Sequence, residues 1–345
     1  MKLIRTRKPW LIPLVLFALA GPASCGGTSD SSSGDGGGGD TKLTLVAYST
    51  PEEAYKELIP AFNKTSAGKG VSFDQSYAAS GEQSRAVEGG LPADVVEFSL
   101  EPDMTRLVDA GLVDKDWNQN KYDGFVTNSI VVLVTRKGNP KNIRSWDDLT
   151  TGDVETLVPN PFTSGGAKWD IMAAYGAQLE KGKSAQEAEQ YLAELFTNVP
   201  VLDKSARESL QTFTSGKGDV LLAYENEAYF SRMQGLDLQW IIPKTTILIE
   251  NPIAVNKTTG DKTAANAFLR FLRTPGAQQV FADYGYRPVV KSVENANRKK
   301  FPVRPGLFTI DQLGLGGWTK VQKRFFDPNS SIMARFQKIV GGSTG

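Results

Sequence analysis

Apolar positions alternate between two spacings along most of this chain. Residues 43–48 form a short run of strand character, and in 51–62 the apolar residues Ala54, Leu58 and Phe62 recur at helical spacing. The pairing repeats, with a strand predicted at 71–77 and a helix around 84–87, then a strand at 95–98 and a helix at 103–109. The strongest β-type run, 130–135, is followed by the turn signal Gly138-Asn139-Pro140, and a second series begins there. Its pattern predicts a strand at 157–158, helices at 169–179, 185–196 and 205–213, and a strand at 220–224. Residues 247–255 are again rich in β-formers, with Pro252 inside the run, which predicts an edge or crossover strand returning to the first series. Helices at 264–272 and 274–282 follow, the second with Thr274 as cap and Pro275 at its first position. Such alternation predicts an α/β architecture with mostly parallel sheets flanked by helices.

The first 25 residues stand apart from this pattern. Lys2, Arg5, Arg7 and Lys8 precede an apolar run at 10–20 that is too short to span a bilayer, as in an export signal. It ends in Pro22-Ala23-Ser24-Cys25, where two small residues precede the only cysteine, so Cys25 is expected to become the lipidated N-terminus of a membrane-anchored lipoprotein. Pro22 stands where that signal usually has Leu, which leaves ordinary signal-peptide cleavage as the alternative. Residues 26–41, rich in Gly and Ser, read as a flexible tether. The rest exceeds the size at which one core stops growing, and two lobes are expected: 42–128 with 250–300, and 129–249. Residues 301–345 are expected to pack on them.

Without the targeting segment the 39 basic residues fall to 35 against 38 acidic ones, a net charge near −3, which is no nucleic-acid-binding profile. The chain has no histidine. With the one cysteine assigned to lipid, this removes Ser-His and Cys-His pairs, imidazole acid–base work, and metal sites built on imidazole or thiolate. The chain is expected not to be an enzyme and to hold no metal or cofactor. A carboxylate- or metal-dependent hydrolase of sulfate or phosphate esters is the enzymatic alternative.

In parallel α/β sheets ligands bind beyond the carboxyl ends of strands, against helix starts whose N–H groups and dipoles suit anions. Four helix starts follow strands with capping chemistry in the sequence. Thr50-Pro51-Glu52-Glu53, Ser80-Gly81-Glu82-Gln83 and Ser205-Ala206-Arg207-Glu208 each pair a hydroxyl with a carboxylate or amide three residues on, the spacing of a capping box. Thr163-Ser164-Gly165-Gly166-Ala167 has no box but two glycines that permit close backbone approach. Ser184-Ala185-Gln186-Glu187 has the box without a strand before it and reads as plain stabilisation. If the lobes face each other, the four starts converge on one cleft. Arg85, Lys168 and Arg207 lie near these starts and are expected to be solvated, as are Glu225 and Glu227 unless hydrogen-bonded within the structure.

At these residues the sequence resembles the sulfate- and thiosulfate-binding proteins of ABC importers. The resemblance runs from about residue 43 to 324 and is most specific at Ala79-Ser80-Gly81 with Gln83, at Pro159-Asn160-Pro161 leading into 163–169, at Asn198-Val199-Pro200-Val201-Leu202-Asp203, and at Tyr286-Arg287-Pro288. It implies a type II periplasmic-binding-protein fold, two α/β lobes hinged by crossover strands and closing on the ligand. By position it implies oxyanion contacts from Thr50, Ser80, Ser164, Gly165, Gly166, Ala206 and Tyr224. The implied partners are sulfate or thiosulfate and the permease subunits, and the implied form is an extracytoplasmic monomer. Tyr224 departs from the pattern, since the family usually has there a tryptophan that only donates, whereas a phenol donates or accepts. A binding protein for phosphate or molybdate and a sulfate-sensing lipoprotein are the alternatives.

Overall fold

A computed structural model of the chain describes residues 41–340, so the expected export signal, Cys25 and positions 26–40 of the tether lie outside the described residues. Thr41, placed by sequence in the tether, is the first residue of a strand. The elements of the first lobe run β1 (Thr41–Tyr48), α1 (Glu52–Asn63), β2 (Val71–Ala78), α2 (Ser80–Glu88), β3 (Val95–Glu97) and α3 (Glu101–Asp109). The long β4 (Phe125–Arg136) leads to β5 (Thr156–Leu157), α4 (Gly165–Glu180), α5 (Ala185–Thr197), α6 (Ala206–Thr214), β6 (Val220–Tyr224), α7 (Glu225–Met233) and β7 (Leu238–Ile241). A second long strand, β8 (Thr246–Val255), returns to α8 (Lys262–Leu272), α9 (Pro275–Asp283), β9 (Arg287–Pro288), α10 (Lys291–Ala296), β10 (Leu307–Phe308), α11 (Gly317–Phe326) and α12 (Ile332–Val340).

The strands follow one another in the order β2-β1-β3-β8-β4-β6-β5. β1 is parallel to both β2 and β3, as the alternating pattern predicts. Antiparallel pairing enters where the chain crosses between lobes. The start of β4 pairs with residues 248–252 of β8, its end pairs with β6 and β7, and the end of β8 pairs with β3. The sheets are therefore mixed, and the mostly parallel order expected holds only away from the crossover. Each of the two long strands belongs to both lobes, which is the geometry of a hinge. Pro252 sits in the middle of β8, where its missing N–H is tolerated beside the register shift in β4 between Phe125 and Thr127.

In the first lobe successive residues of β1 face opposite layers. Leu43, Leu45 and Ala47 pack with Tyr55, Phe62 and Phe268 from the helices on one face, while Val46 packs with Val96, Phe98 and Met104 on the other. In the second lobe Leu133, Leu222 and the nearly wholly buried α4 form the largest core. The C-terminal helices close that core. Trp318 of α11 meets Trp169 edge-on with ring centroids 4.7 Å apart, and Phe325 meets Tyr175 at 4.8 Å. Among the described residues, no helix is long and apolar enough to cross a membrane.

One carboxyl is sealed inside the first lobe. Glu97 is fully buried, its Oε2 accepts from the Tyr55 hydroxyl, and its Oε1 has no partner. Burial pushes the group up to about 8 from the usual 4.5, with the Tyr55 bond acting in the opposite sense. The folded protein thus holds this proton more tightly than the unfolded chain, so the stability it confers is present below about pH 4.5 and is lost as pH rises through about 8. Glu97→Gln removes the titration at nearly constant shape. Thermal melts are expected to show the variant close to the parent near pH 5 and above it at about pH 8.5; a variant that loses ground as pH rises contradicts this.

Candidate functional site

Five chain reversals meet between the lobes. β1 ends at Tyr48 and turns through Ser49 and Thr50 into α1; β2 ends at Ala78, and α2 begins two residues on. From the other lobe come the start of α4 at Gly165, the start of α6 at Ala206, and Tyr224, where β6 passes directly into α7. Thr50, Ser80, Ser164, Gly165, Gly166, Ala206 and Tyr224 all line one small cavity, together with Tyr48, Ser49, Ala79 and Ser99. A larger hollow beside α3 and α11 is lined by Glu88, Glu101 and Asp109 with the single cation Arg106, an acidic balance that disfavours an anion.

Ser164 and Ser205 cap their helices, but the starts at Thr50 and Ser80 do not cap as the sequence spacing predicts. Thr50 does not cap α1; its hydroxyl bonds the Tyr286 hydroxyl at 3.0 Å, and Glu53 pairs with Lys56. Ser80 is the first residue of α2 rather than its cap, and its Oγ donates to Asp103 Oδ2 at 2.6 Å while accepting the Ser99 N–H at 3.0 Å. Gln83 turns to Ser76. Ser205 accepts the Glu208 N–H at 3.2 Å, but Glu208 answers the N–H of Lys204, so that box is half made. The complete reciprocal box forms at Ser184 and Glu187, the start with no strand before it. In the cleft, partners from other elements compete for the same side chains and win.

What remains at the cavity is a set of backbone donors. Gly165 and Gly166 are the first two residues of α4 and Ala206 is the first of α6, positions whose N–H groups have no acceptor within the helix. Ser164 Oγ accepts from Ala167 N at 3.3 Å, which leaves its own proton to donate. The positive ends of both helices add to the field. Gly165 is required by space. A Cβ on Gly165 would lie 2.3 Å from Leu100 Cδ2 and 2.6 Å from Ser99 Oγ, both across the cleft.

Nearby charges are paired or turned away. Arg207, expected in solvent, is largely covered and pairs with Glu227 through bonds of 3.0 and 3.1 Å, its plane 3.8 Å from the Phe230 ring centre, and it donates to Thr50 O at 3.1 Å. Burial draws its pKa down, but Glu227 more than offsets this and holds it charged, above its ordinary value. Glu225 is likewise ion-paired, to Arg287 at 2.8 Å. Lys168 is also buried, donating to Gln322 at 3.0 Å, and desolvation lowers its pKa. Of the three cations only Arg85 stays exposed, with Nη1 reaching Phe162 O at 3.3 Å.

The lobes meet through polar bonds that ring the cavity. Gly81 N–H donates to Thr163 O at 3.0 Å, Trp169 Nε1 to Ser99 O at 2.8 Å, and the hydroxyls of Ser99 and Tyr224 share a bond of 2.5 Å. The lobes are therefore closed. Tyr48, Ser49 and Ser99 carry no capping signal in the sequence because none starts a helix. The signal that finds them is their place just at or after the carboxyl ends of β1 and β3.

Comparison with known proteins adds the following. A family model described as bacterial extracellular solute-binding protein matches residues 43–287. A sulfate-binding protein of Synechococcus elongatus is 42% identical, covering 93% of this chain and 93% of the relative. A thiosulfate-binding protein of Escherichia coli is 36% identical, covering 85% and 90%. Among solved structures, the sulfate-binding protein SubI from Mycobacterium tuberculosis superposes with a TM-score of 0.80 at 44% identity, covering 83% of this chain and 100% of that one.

The two glycines of α4 are predicted to respond differently to a methyl group. Gly165→Ala overpacks the cleft and should cost about 1–3 kcal/mol of stability. A Cβ on Gly166 meets nothing closer than 3.4 Å, so Gly166→Ala should lie within about 1 kcal/mol of the parent. Urea denaturation checks both; equal losses contradict the packing described.

Proposed function

The chain belongs to the bacterial extracellular solute-binding proteins, among the sulfate- and thiosulfate-binding group, and from that membership we propose that it captures sulfate or thiosulfate outside the cytoplasm for the membrane permease of an ABC importer. Proteins of this family bind and hand over a solute without transforming it. The fold is the type II periplasmic-binding-protein fold, with the site between two hinged lobes.

The observation that carries the reading is a small closed cavity ringed by helix-start N–H groups and hydroxyls, with no unpaired cation on its wall. A dianion leaves water only if several charge-assisted hydrogen bonds replace its hydration, each contributing roughly 1.5–3 kcal/mol. Gly165, Gly166 and Ala206 offer N–H groups, Ser164 a hydroxyl, and Thr50, Ser80 and Tyr224 complete the wall in the assigned role of ligand contacts. A wall of donors suits a fully deprotonated tetrahedral anion. A hydrogen phosphate needs an acceptor for its proton, and an unmet bond there costs about 1–3 kcal/mol. Hydroxyls on the wall, those of Ser99 and Tyr224 among them, are able to accept, and for that reason phosphate or molybdate is the second reading.

We assign the basic and apolar start of the chain to export, and Cys25 to lipid attachment with 26–40 as leash. Mass spectrometry of the mature N-terminus is expected to find a diacylated Cys25; an unmodified N-terminus at another residue overturns the anchor and leaves the binding function standing.

Two tests follow for the ligand. In a thermal-shift panel, sulfate and thiosulfate are expected to raise the melting temperature more than phosphate or molybdate at equal concentration; the reverse order replaces sulfate by the other oxyanion. Ser164→Asp places a negative charge at the start of α4 and is expected to abolish sulfate binding by calorimetry while the protein stays folded. Unchanged affinity in that variant removes the cavity from the account.

A further inference from the structure

Two tyrosines face the cavity, and their hydroxyls stand in different states. Tyr224 Oη is held by Ser99 Oγ at 2.5 Å, a bond that spans the two lobes. Tyr48 is 3% exposed, its ring lines the same cavity 6.5 Å from that of Tyr224, and its hydroxyl has no hydrogen-bond partner. The Thr50 hydroxyl lies close enough to act on the Tyr48 phenol and slightly favours its ionised form, but its bond of good geometry, at 3.0 Å, goes to Tyr286 Oη. Burial raises both phenols well above their ordinary pKa, so both keep their protons.

A buried hydroxyl without a partner is an uncompensated loss of hydration, and proteins retain one chiefly where a ligand or water completes it. We propose that Tyr48, at the end of β1, is the phenol that donates to the bound oxyanion, and that Tyr224 acts mainly as a tie between the lobes. The proposal rests on the oxyanion reading of the cavity and refines it. The family resemblance points to Tyr224 because it stands where the family usually has an indole donor. The geometry gives that donor role to Tyr48, whose proton is unused, while the Ser99 and Tyr224 hydroxyls spend one of their two protons on each other and their positions are fixed by that bond. The two phenols then affect different equilibria. Tyr48 matters when the anion is present, whereas Tyr224 also matters when it is absent, through the Ser99 bond.

Calorimetric titration of sodium sulfate into the purified parent protein, Tyr48→Phe and Tyr224→Phe, with melting curves of each in sulfate-free buffer, separates these roles. Tyr48→Phe is expected to weaken sulfate roughly 10-fold to 100-fold with a sulfate-free melting temperature unchanged or raised. Tyr224→Phe is expected to lower the sulfate-free melting temperature, because it leaves Ser99 Oγ without its partner. Tyr48→Phe that binds sulfate within about 2-fold of the parent overturns the proposal while the oxyanion reading stands. A parent protein that binds no sulfate overturns both. As an independent readout, NMR of protein labelled at tyrosine Cζ is expected to show the Tyr48 resonance moving on sulfate addition; a stationary Tyr48 signal at saturation contradicts the contact.

Discussion

A doubly charged anion held without a cation in contact must be solvated by dipoles that are fixed before it arrives. On the proposed reading, that constraint organises this protein. Backbone N–H groups are the densest dipoles a chain can fix, and they are unengaged only where a helix begins. The fold therefore brings helix starts from both lobes to one cavity, places glycines where two backbones must approach, and keeps Arg207 and Lys168 occupied with Glu227 and Gln322. A direct cation would bind more strongly but would also admit other anions, since a point charge reads sign rather than protonation state.

The same constraint explains why the site must open and close. On the proposed reading, donors on opposite lobes surround the anion only when the lobes are together. β4 and β8 each span both lobes, so rotation about the two strands separates α1 and α2 from α4 and α6 without unmaking either core. Closure is stabilised from behind the anion by Gly81 on Thr163, Trp169 on Ser99 and Arg207 on Thr50. These bonds are few and polar, which suits a contact that must also come apart at the permease.

Most of the architecture was legible in the residue pattern because each predicted strand and helix reads on local periodicity. Pro252 marked the crossover strand, and the four post-strand helix starts marked the cavity before any coordinates. Antiparallel pairing of β4 with β6 was not legible, since it depends on contacts about ninety residues apart that leave no local trace. The capping boxes misread the detail for a related reason. Spacing shows which side chains can cap, not which distant partner takes them, and Asp103, Tyr286 and Ser76 took Ser80, Thr50 and Gln83. The pairing of Arg207 escaped for want of any sequence sign that Glu227, twenty residues on, stands opposite. Tyr48 and Ser99 looked like ordinary residues at the ends of strands.

The central claim is that helix-start dipoles, not cations, hold the anion. Anomalous diffraction from crystals grown with selenate, a heavier analogue of sulfate, tests it most directly. The account predicts a single selenium peak in the cavity, within hydrogen-bonding distance of the backbone nitrogens of Gly165, Gly166 and Ala206, with no Lys or Arg nitrogen in contact. A peak seated on Arg207, Lys168 or Arg85, or lying outside the cleft, contradicts it.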